Sequence, residues 1–226
     1  IRDRQGIIIN MAKKISILNP KGGCGKTTLS SNLGSSLLLN GYKTLLIDTD
    51  PQGTLRDWKS MDENDSQPQI IVIDRPNLQK DLTSIAINFD YLIIDGAAKL
   101  QDMIAFAVKN SDVILIPIQP SAADIWACEA LIHLIKARQE VTDGIPKAAF
   151  IISRQIKNSN LARDIDEALK QFSFPVFNSR TTQRVIYGEA LSSGKSVFNI
   201  ESSGEAASEI QNITKELQNF IYEQKI

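Results

Sequence analysis

Cysteine and histidine are scarce in this chain. Its 226 residues hold two cysteines, Cys24 and Cys128, and one histidine, His133. The thiols fall in separate sequence elements, which argues against a disulfide framework and fits a reducing compartment. His133 lies among Leu131, Ile132 and Leu134 with no Cys or His at ligand spacing, which argues against a metal centre of the zinc type. Aromatic residues make up only 6% of the chain, and Trp58 and Trp126 read as packing or interface residues. Charge of one sign is lacking too, since 25 Lys and Arg against 26 Asp and Glu leave a net −1. No global positive field then draws the chain to nucleic acid or acidic lipid, and such binding needs a local patch assembled by oligomerisation. No apolar run is long enough to cross a bilayer, and no secretory signal is evident. Residues 1–10, ahead of Met11, lack periodic pattern and read as a leader or tag remnant outside the fold.

What remains has an ordinary globular composition, 42% hydrophobic and 23% charged, and a length that suits one domain over 11–226. Strand-like apolar runs fall at 15–18, 43–48, 70–73, 91–95, 113–118 and 147–152, with a short one at 175–177. Their near-continuous Ile, Leu and Val marks strands buried on both faces. Helices are expected at 27–40, 78–88, 100–109, 122–140, 161–172, 183–192 and 204–222. The alternation predicts an α/β fold of the P-loop NTPase type, a mainly parallel twisted sheet with helices on both faces in three layers. Ligands bind such a sheet at the carboxyl ends of its strands, so every polar residue that closes a strand is a site candidate.

The densest signal is Asn19-Pro20-Lys21-Gly22-Gly23-Cys24-Gly25-Lys26-Thr27-Thr28, set between the first strand and the first helix. A glycine-rich turn ending in Gly-Lys-Thr at that place is how proteins hold a nucleoside triphosphate. The glycines bring backbone N–H groups close to phosphate, and the helix that follows aims its positive end at the same anions. Lys26 supplies a point charge near the β- and γ-phosphates, and the Thr27 hydroxyl is placed to ligate Mg²⁺. Pro20 stands where the general pattern has glycine, and a second lysine, Lys21, opens the loop. Cys24 reads as a small filler. A second cation beside Lys26 needs an anionic partner, and a nucleotide bridging two protomers would supply one.

Two strand ends complete the pattern. Leu45-Leu46-Ile47 closes on Asp48-Thr49-Asp50-Pro51-Gln52, and Tyr91-Leu92-Ile93-Ile94 closes on Asp95-Gly96. Carboxylates at these ends face the phosphates, where one holds Mg²⁺ and another orients an attacking water. Asp124 has no evident chemical partner in the sequence.

Taken together, Lys21 to Thr28 and Asp48 to Gln52 resemble the motifs of the ParA/MinD family of deviant Walker ATPases, and within it the short plasmid-partition ParA proteins of the ParF kind. Shared features extend to Ile94-Asp95-Gly96-Ala97, Pro117-Ile118-Gln119-Pro120-Ser121 and Thr182-Gln183-Arg184-Val185-Ile186-Tyr187, so the likeness runs from Lys14 to about Phe198. The resemblance implies a weak ATP hydrolase with ATP and Mg²⁺ as cofactors. It implies that Lys21 contacts nucleotide across a dimer interface, that Gly22 to Thr28 cradle the phosphates, and that Thr27, Asp48 and Asp95 surround the metal. It gives Asp50 the hydrolytic water and puts Arg154 beside adenine, with Ser153 where relatives often carry Asn. It further implies a homodimer formed on ATP binding, a small centromere-binding adaptor of the ParB/ParG kind that stimulates hydrolysis, and nonspecific DNA as the track for segregation. The corresponding location is the cytoplasm, on the nucleoid.

Residues expected to form the DNA or partner surface are Lys157, Lys170, Arg180, Arg184 and Lys195. The segment 204–222 is amphipathic, but Glu209, Glu216 and Glu223 make its polar face too acidic for anionic lipid, so no membrane role is expected. Alternatives kept open are a related positioning ATPase for a protein assembly or for T-DNA transfer, and a MinD-like membrane-associated regulator. Rivals of other classes are a metallocluster P-loop protein, which needs interface cysteines this chain hardly offers, and a nonenzymatic binding module.

Overall fold

The computed structural model describes residues 11–76, 79–98, 100–156 and 160–223, with the backbone alone at 79–81 and 160–164. The expected leader at 1–10 lies outside the described residues, as does Lys157. Six strands form one all-parallel sheet: β1 (Lys13–Ile17), β2 (Thr44–Asp48), β3 (Gln69–Val72), β4 (Tyr91–Asp95), β5 (Val113–Ile118) and β6 (Lys147–Ile152), in the order β3-β2-β4-β1-β5-β6. Side chains of one strand alternate between two cores. Leu92 and Ile94 of β4 enter one core, while Tyr91 and Ile93 enter the other, and β5 divides the same way. Both faces are therefore dry, which is why these strands read as unbroken apolar runs rather than alternating ones.

Ten α-helices cover the two faces among the described residues: α1 (Lys26–Leu39), α2 (Thr54–Ser60), α3 (Gln79–Ile85), α4 (Gln101–Asn110), α5 (Ala122–Ala127), α6 (Glu129–Glu140), α7 (Asn160–Leu169), α8 (Val185–Ser192), α9 (Val197–Ile200) and α10 (Glu205–Tyr222). Side chains of α4 and α6 pack into one core, and those of α1, α2, α8 and α10 into the other. At its central glycine α1 sits so close to β2 that a Cβ on Gly34 would lie 2.6 Å from Leu46 Cδ2.

Four elements depart from the sequence expectation. The helix expected over 122–140 breaks at Cys128, whose N–H bonds to Ile125 O in a tightened turn instead of continuing the α ladder. The run 175–177 makes only an isolated parallel bridge from Val176 to Phe150, because Pro175 brings no N–H to a ladder. Helices α2 and α9 were not anticipated; they are short, 7 and 4 residues, and carry no full amphipathic period.

The amphipathic face of α10 is committed inside the protein. Ala206, Ile210, Ile213, Leu217 and Ile221 are buried, and they share a core with Leu29, Leu33 and Leu37 of α1. Among the described residues no helix is long and apolar enough to cross a membrane.

The strand order also fixes where the site lies. The chain leaves β1 towards β2 on one side and reaches β5 on the other, so the carboxyl ends of β4, β1 and β5 meet at a switch in winding direction. The glycine-rich loop follows β1, Asp95 ends β4 and Gln119 follows β5.

Candidate nucleotide site at the carboxyl edge of the sheet

The loop after β1 is held from below before it turns. Leu18 N–H donates to Leu115 O at 3.0 Å, and the Asn19 side chain donates to Pro117 O at 2.7 Å while accepting from Lys21 N–H at 2.8 Å. Gly23 and Gly25 then adopt φ of 76° and 91°, left-handed values that glycine takes without strain. Gly25 stands at the N-terminus of α1 with no side chain capping it, so the first turn keeps its backbone donors for an outside acceptor. Lys26 Nζ donates to Lys21 O at 2.9 Å, folding its ammonium back over the loop. An open cleft of about 1520 Å³ lies above, bounded by the loop, Asp50, Arg154 and the segment from Thr181 to Val185. That is ample for a nucleotide.

Two buried carboxylates, Asp48 and Asp95, lie beneath the cleft on the β2–β4 side, where Asp50 forms part of its wall. Asp95 is buried and accepts from Thr27 Oγ1 at 2.8 Å and Ser30 Oγ at 2.9 Å. Burial pushes its carboxyl up to about 7, against the pull of those two hydroxyls, and neighbouring Asp48 pushes the same way. Asp48 accepts from Asp50 N–H at 2.9 Å and pairs with Arg56 Nε at 3.2 Å, yet burial still raises it. Asp50 is partly exposed at the turn and accepts from Gln52 N–H at 2.9 Å. The donors around the cleft are hard oxygens, and Asp95 is a buried carboxylate whose charge the chain only partly compensates. Thr27, Asp48 and Asp95 thus fit a Mg²⁺ ion that takes its remaining ligands from phosphate and water.

The β6 side of the loop is tied down by three donors. Ser153 Oγ donates to Cys24 O at 2.6 Å, and Gly23 O accepts from both Gln119 Nε2 at 2.8 Å and Arg154 Nη1 at 3.1 Å. The guanidinium expected beside adenine therefore rests on the phosphate loop itself, with Arg154 in a left-handed conformation at φ 53°. Burial raises the Cys24 thiol, which suits a filler and not a nucleophile.

A strand, a left-handed glycine pair, an uncapped helix start and carboxylates on the adjoining strand ends make a phosphate-binding edge. Residues 15–197 match the family described as the CobQ/CobB/MinD/ParA nucleotide binding domain, CbiA. The chain belongs to this family. As a MinD/ParA-family member it is 32% identical over 213 residues to the Maintenance of carboxysome distribution protein A of Halothiobacillus neapolitanus, covering 92% of this chain and 97% of that relative. It is 25% identical over 252 residues to the sporulation initiation inhibitor protein Soj of Bacillus subtilis, with 92% and 98% covered. Its fold matches that of a variant of Cyanothece McdA in complex with ATP, with a TM-score of 0.75 at 17% identity, over 96% of this chain and 99% of that one.

In this MinD/ParA-family chain the lysine that opens the loop is not alone. The Lys21 ammonium pairs with Asp124 on α5, which corrects the reading of Asp124 as partnerless and gives Lys21 an anion within its own chain. Lys21 keeps 40% of its side-chain surface exposed, whereas Asp124 keeps 1%. Asp124 also accepts from Ser121 Oγ at 2.9 Å and Gln119 N–H at 3.3 Å. Of the cations expected to meet DNA, Lys170 pairs with Glu167, Arg180 with Asp166, and Arg184 with Glu205 and Glu209, while Lys195 is exposed. Three of the four described cations thus have their charge offset by a carboxylate.

Sequence reasoning gave no role to Arg56. Its Nη2 donates to Asp50 O at 3.0 Å and Pro51 O at 3.1 Å while its Nε pairs with Asp48, so one side chain clamps the turn that carries both aspartates. A basic residue one helical turn after the Asp-x-Asp-Pro-Gln run was the only available signal.

Proposed function

We propose that this chain is a Mg-ATP-dependent ParA-type ATPase that positions a cargo by cycling between monomer and dimer. The observation that carries the reading is the convergence of Lys26, Thr27 and Asp50 on one edge of the cleft, with buried Asp95 directly behind Thr27. Backbone donors of Gly22 to Thr28 and the Lys26 ammonium bind and orient the triphosphate. Thr27, Asp48 and Asp95 would hold Mg²⁺, which supplies charge neutralisation for the β- and γ-oxygens. Asp50 orients a water in line with the γ-phosphorus. The new P–O bond forms to that water as the bond to the β–γ bridging oxygen breaks, leaving ADP and inorganic phosphate.

Lys21 connects nucleotide state to assembly. To reach the triphosphate of a second copy, its ammonium exchanges Asp124 for phosphate, so the dimer forms only when nucleotide replaces the lost pair. Hydrolysis removes that contact and releases the monomers. The cycle needs added positive charge for speed, which a centromere-binding adaptor would deliver, and nonspecific DNA would serve as the track on the nucleoid in the cytoplasm.

DNA segregation is the cargo reading supported by likeness to relatives named for chromosome partitioning. A large protein assembly is the second, favoured by the higher identity to a protein named for carboxysome distribution. ATP hydrolysis measured with and without DNA, and with any small adaptor found encoded beside this gene, separates them. Stimulation by DNA together with a centromere-binding adaptor supports segregation. Stimulation by an adaptor that binds no DNA site supports the assembly cargo. No hydrolysis under any of these conditions refutes the ATPase reading.

A further inference from the structure

The sheet order says where a nucleoside must go. The carboxylates Asp48 and Asp95 end β2 and β4, on one side of β1, and they mark the γ-phosphate end of the cleft. The triphosphate follows the loop, so the nucleoside extends to the other side of β1, past β5 towards the end of β6. There the cleft is walled by Arg154, Gln155 and the segment from Thr181 to Val185. That segment has the geometry of a strap laid on the end of β6. Thr181 N–H donates to Ile152 O at 3.1 Å, Gln155 N–H to Thr181 O at 2.9 Å, and Gln183 N–H to Gln155 O at 3.0 Å.

Those bonds hold the strap from the sheet side only. From the other side it is held by α10, where Glu205 pairs with Arg184 at the exposed rim and Glu209 accepts from Thr182, Arg184 and Tyr187. Glu209 Oε2 accepts from Thr182 N–H at 3.1 Å and Tyr187 OH at 2.7 Å. Its Oε1 accepts from Thr182 Oγ1 at 2.7 Å and from Arg184 Nε and Nη2 at 3.1 and 3.0 Å. Both oxygens are thus saturated by donors from the strap and the first turn of α8, and the Glu209 side chain is only 15% exposed. Burial works to raise its carboxyl, but the bonds from Thr182, Tyr187 and Arg184 prevail and hold it below the ordinary glutamate value. A carboxylate with that many donors is costly to build and locks whatever donates to it.

We propose that Glu209 is the positioning residue for the nucleoside end of the cleft, fixing the Thr181 to Val185 strap at the height that accepts a base. Glu209 touches the strap and not the ligand. The proposal rests on the nucleotide reading of the cleft and adds to it the element that selects a nucleoside over bare polyphosphate. It also gives α10 a part in the site, although that helix lies on a face of the domain and contributes no group to the phosphate loop.

The test compares two ligands on the same protein: Mg-ATP, which reaches the strap, and Mg-tripolyphosphate, which ends at the loop. Dissociation constants by calorimetry are paired with steady-state kinetics and thermal melts for wild type, Glu209→Gln and Tyr187→Phe. Glu209→Gln should weaken Mg-ATP by about tenfold, the loss expected for charge-assisted bonds, and leave tripolyphosphate unchanged. KM for ATP should rise in step while kcat at saturation holds, because the reacting end is untouched. Tyr187→Phe, which removes one donor and keeps the Arg184 pair, should show the same pattern at smaller size, and it carries the test if Glu209→Gln does not fold. Equal weakening of both ligands, or of neither, in a variant that melts cooperatively would overturn the proposal and leave Glu209 as scaffold. A wild-type chain that binds neither ligand would instead overturn the nucleotide reading, and the role of Glu209 with it.

Discussion

Asp95 and Arg56 illustrate how single side chains set the chemistry of this edge. Asp95 sits at about 7 because burial penalises its charge, so in the window between the ordinary aspartate value and about 7 the folded chain binds a proton that the unfolded chain does not. Stability then falls as pH rises through that window. Melts of the chain without nucleotide or Mg²⁺ should show this decline from about pH 4 to pH 7. Asp95→Asn should flatten it and raise Tm at about pH 8, above the window, and a wild-type profile unchanged by the substitution would refute the assignment. Arg56 acts on rate. With its bonds to Asp50 O and Pro51 O gone, Arg56→Gln should lower kcat for ATP hydrolysis by roughly tenfold to a hundredfold through a misplaced Asp50, with ATP affinity little changed. Single-turnover kinetics check this, and an unaltered rate would show that the turn holds without the clamp. The loop residues were legible because they are contiguous in sequence. Asp124, Arg56 and Glu209 were not, because their roles depend on partners that only folding brings near: Lys21 lies 103 residues from Asp124, and Thr182 lies 27 from Glu209.

At the scale of elements, buried parallel strands announce themselves through unbroken Ile, Leu and Val, and all six were placed within about two residues, as expected when both faces are dry. Short elements fail that reading. α2 and α9 are too brief for a period to show, and the turn at Cys128 leaves an apolar helical pattern running across it. The 175–177 run has strand composition, yet Pro175 denies it a ladder. The last helix was legible as amphipathic, but its partner was not. The structure pairs its apolar face with α1, so the face is part of the core and not a surface for lipid. Leu217 is wholly buried there, and Leu217→Ala should cost about 2–5 kcal/mol in denaturant unfolding. A loss below about 0.5 kcal/mol, the range typical of surface sites, would mean that α10 is not docked as described.

For the whole molecule, the strand order places Lys26, Asp50 and the strap along a single cleft, and in the proposed cycle the Lys21–Asp124 pair ties that cleft to assembly. Losing the ammonium leaves the Asp124 carboxylate, 1% exposed, to its bonds from Ser121 and Gln119, so Lys21→Ala should lower the stability of the isolated chain, though by less than breaking a pair buried at both ends. Its consequence should appear between chains. Sedimentation of wild type and Lys21→Ala, with and without Mg-ATP, tests the link between nucleotide and assembly most directly. Wild type should pass from monomer to dimer on adding Mg-ATP, and Lys21→Ala, still folded, should remain monomeric. A Lys21→Ala chain that dimerises with Mg-ATP as fully as wild type would contradict that link.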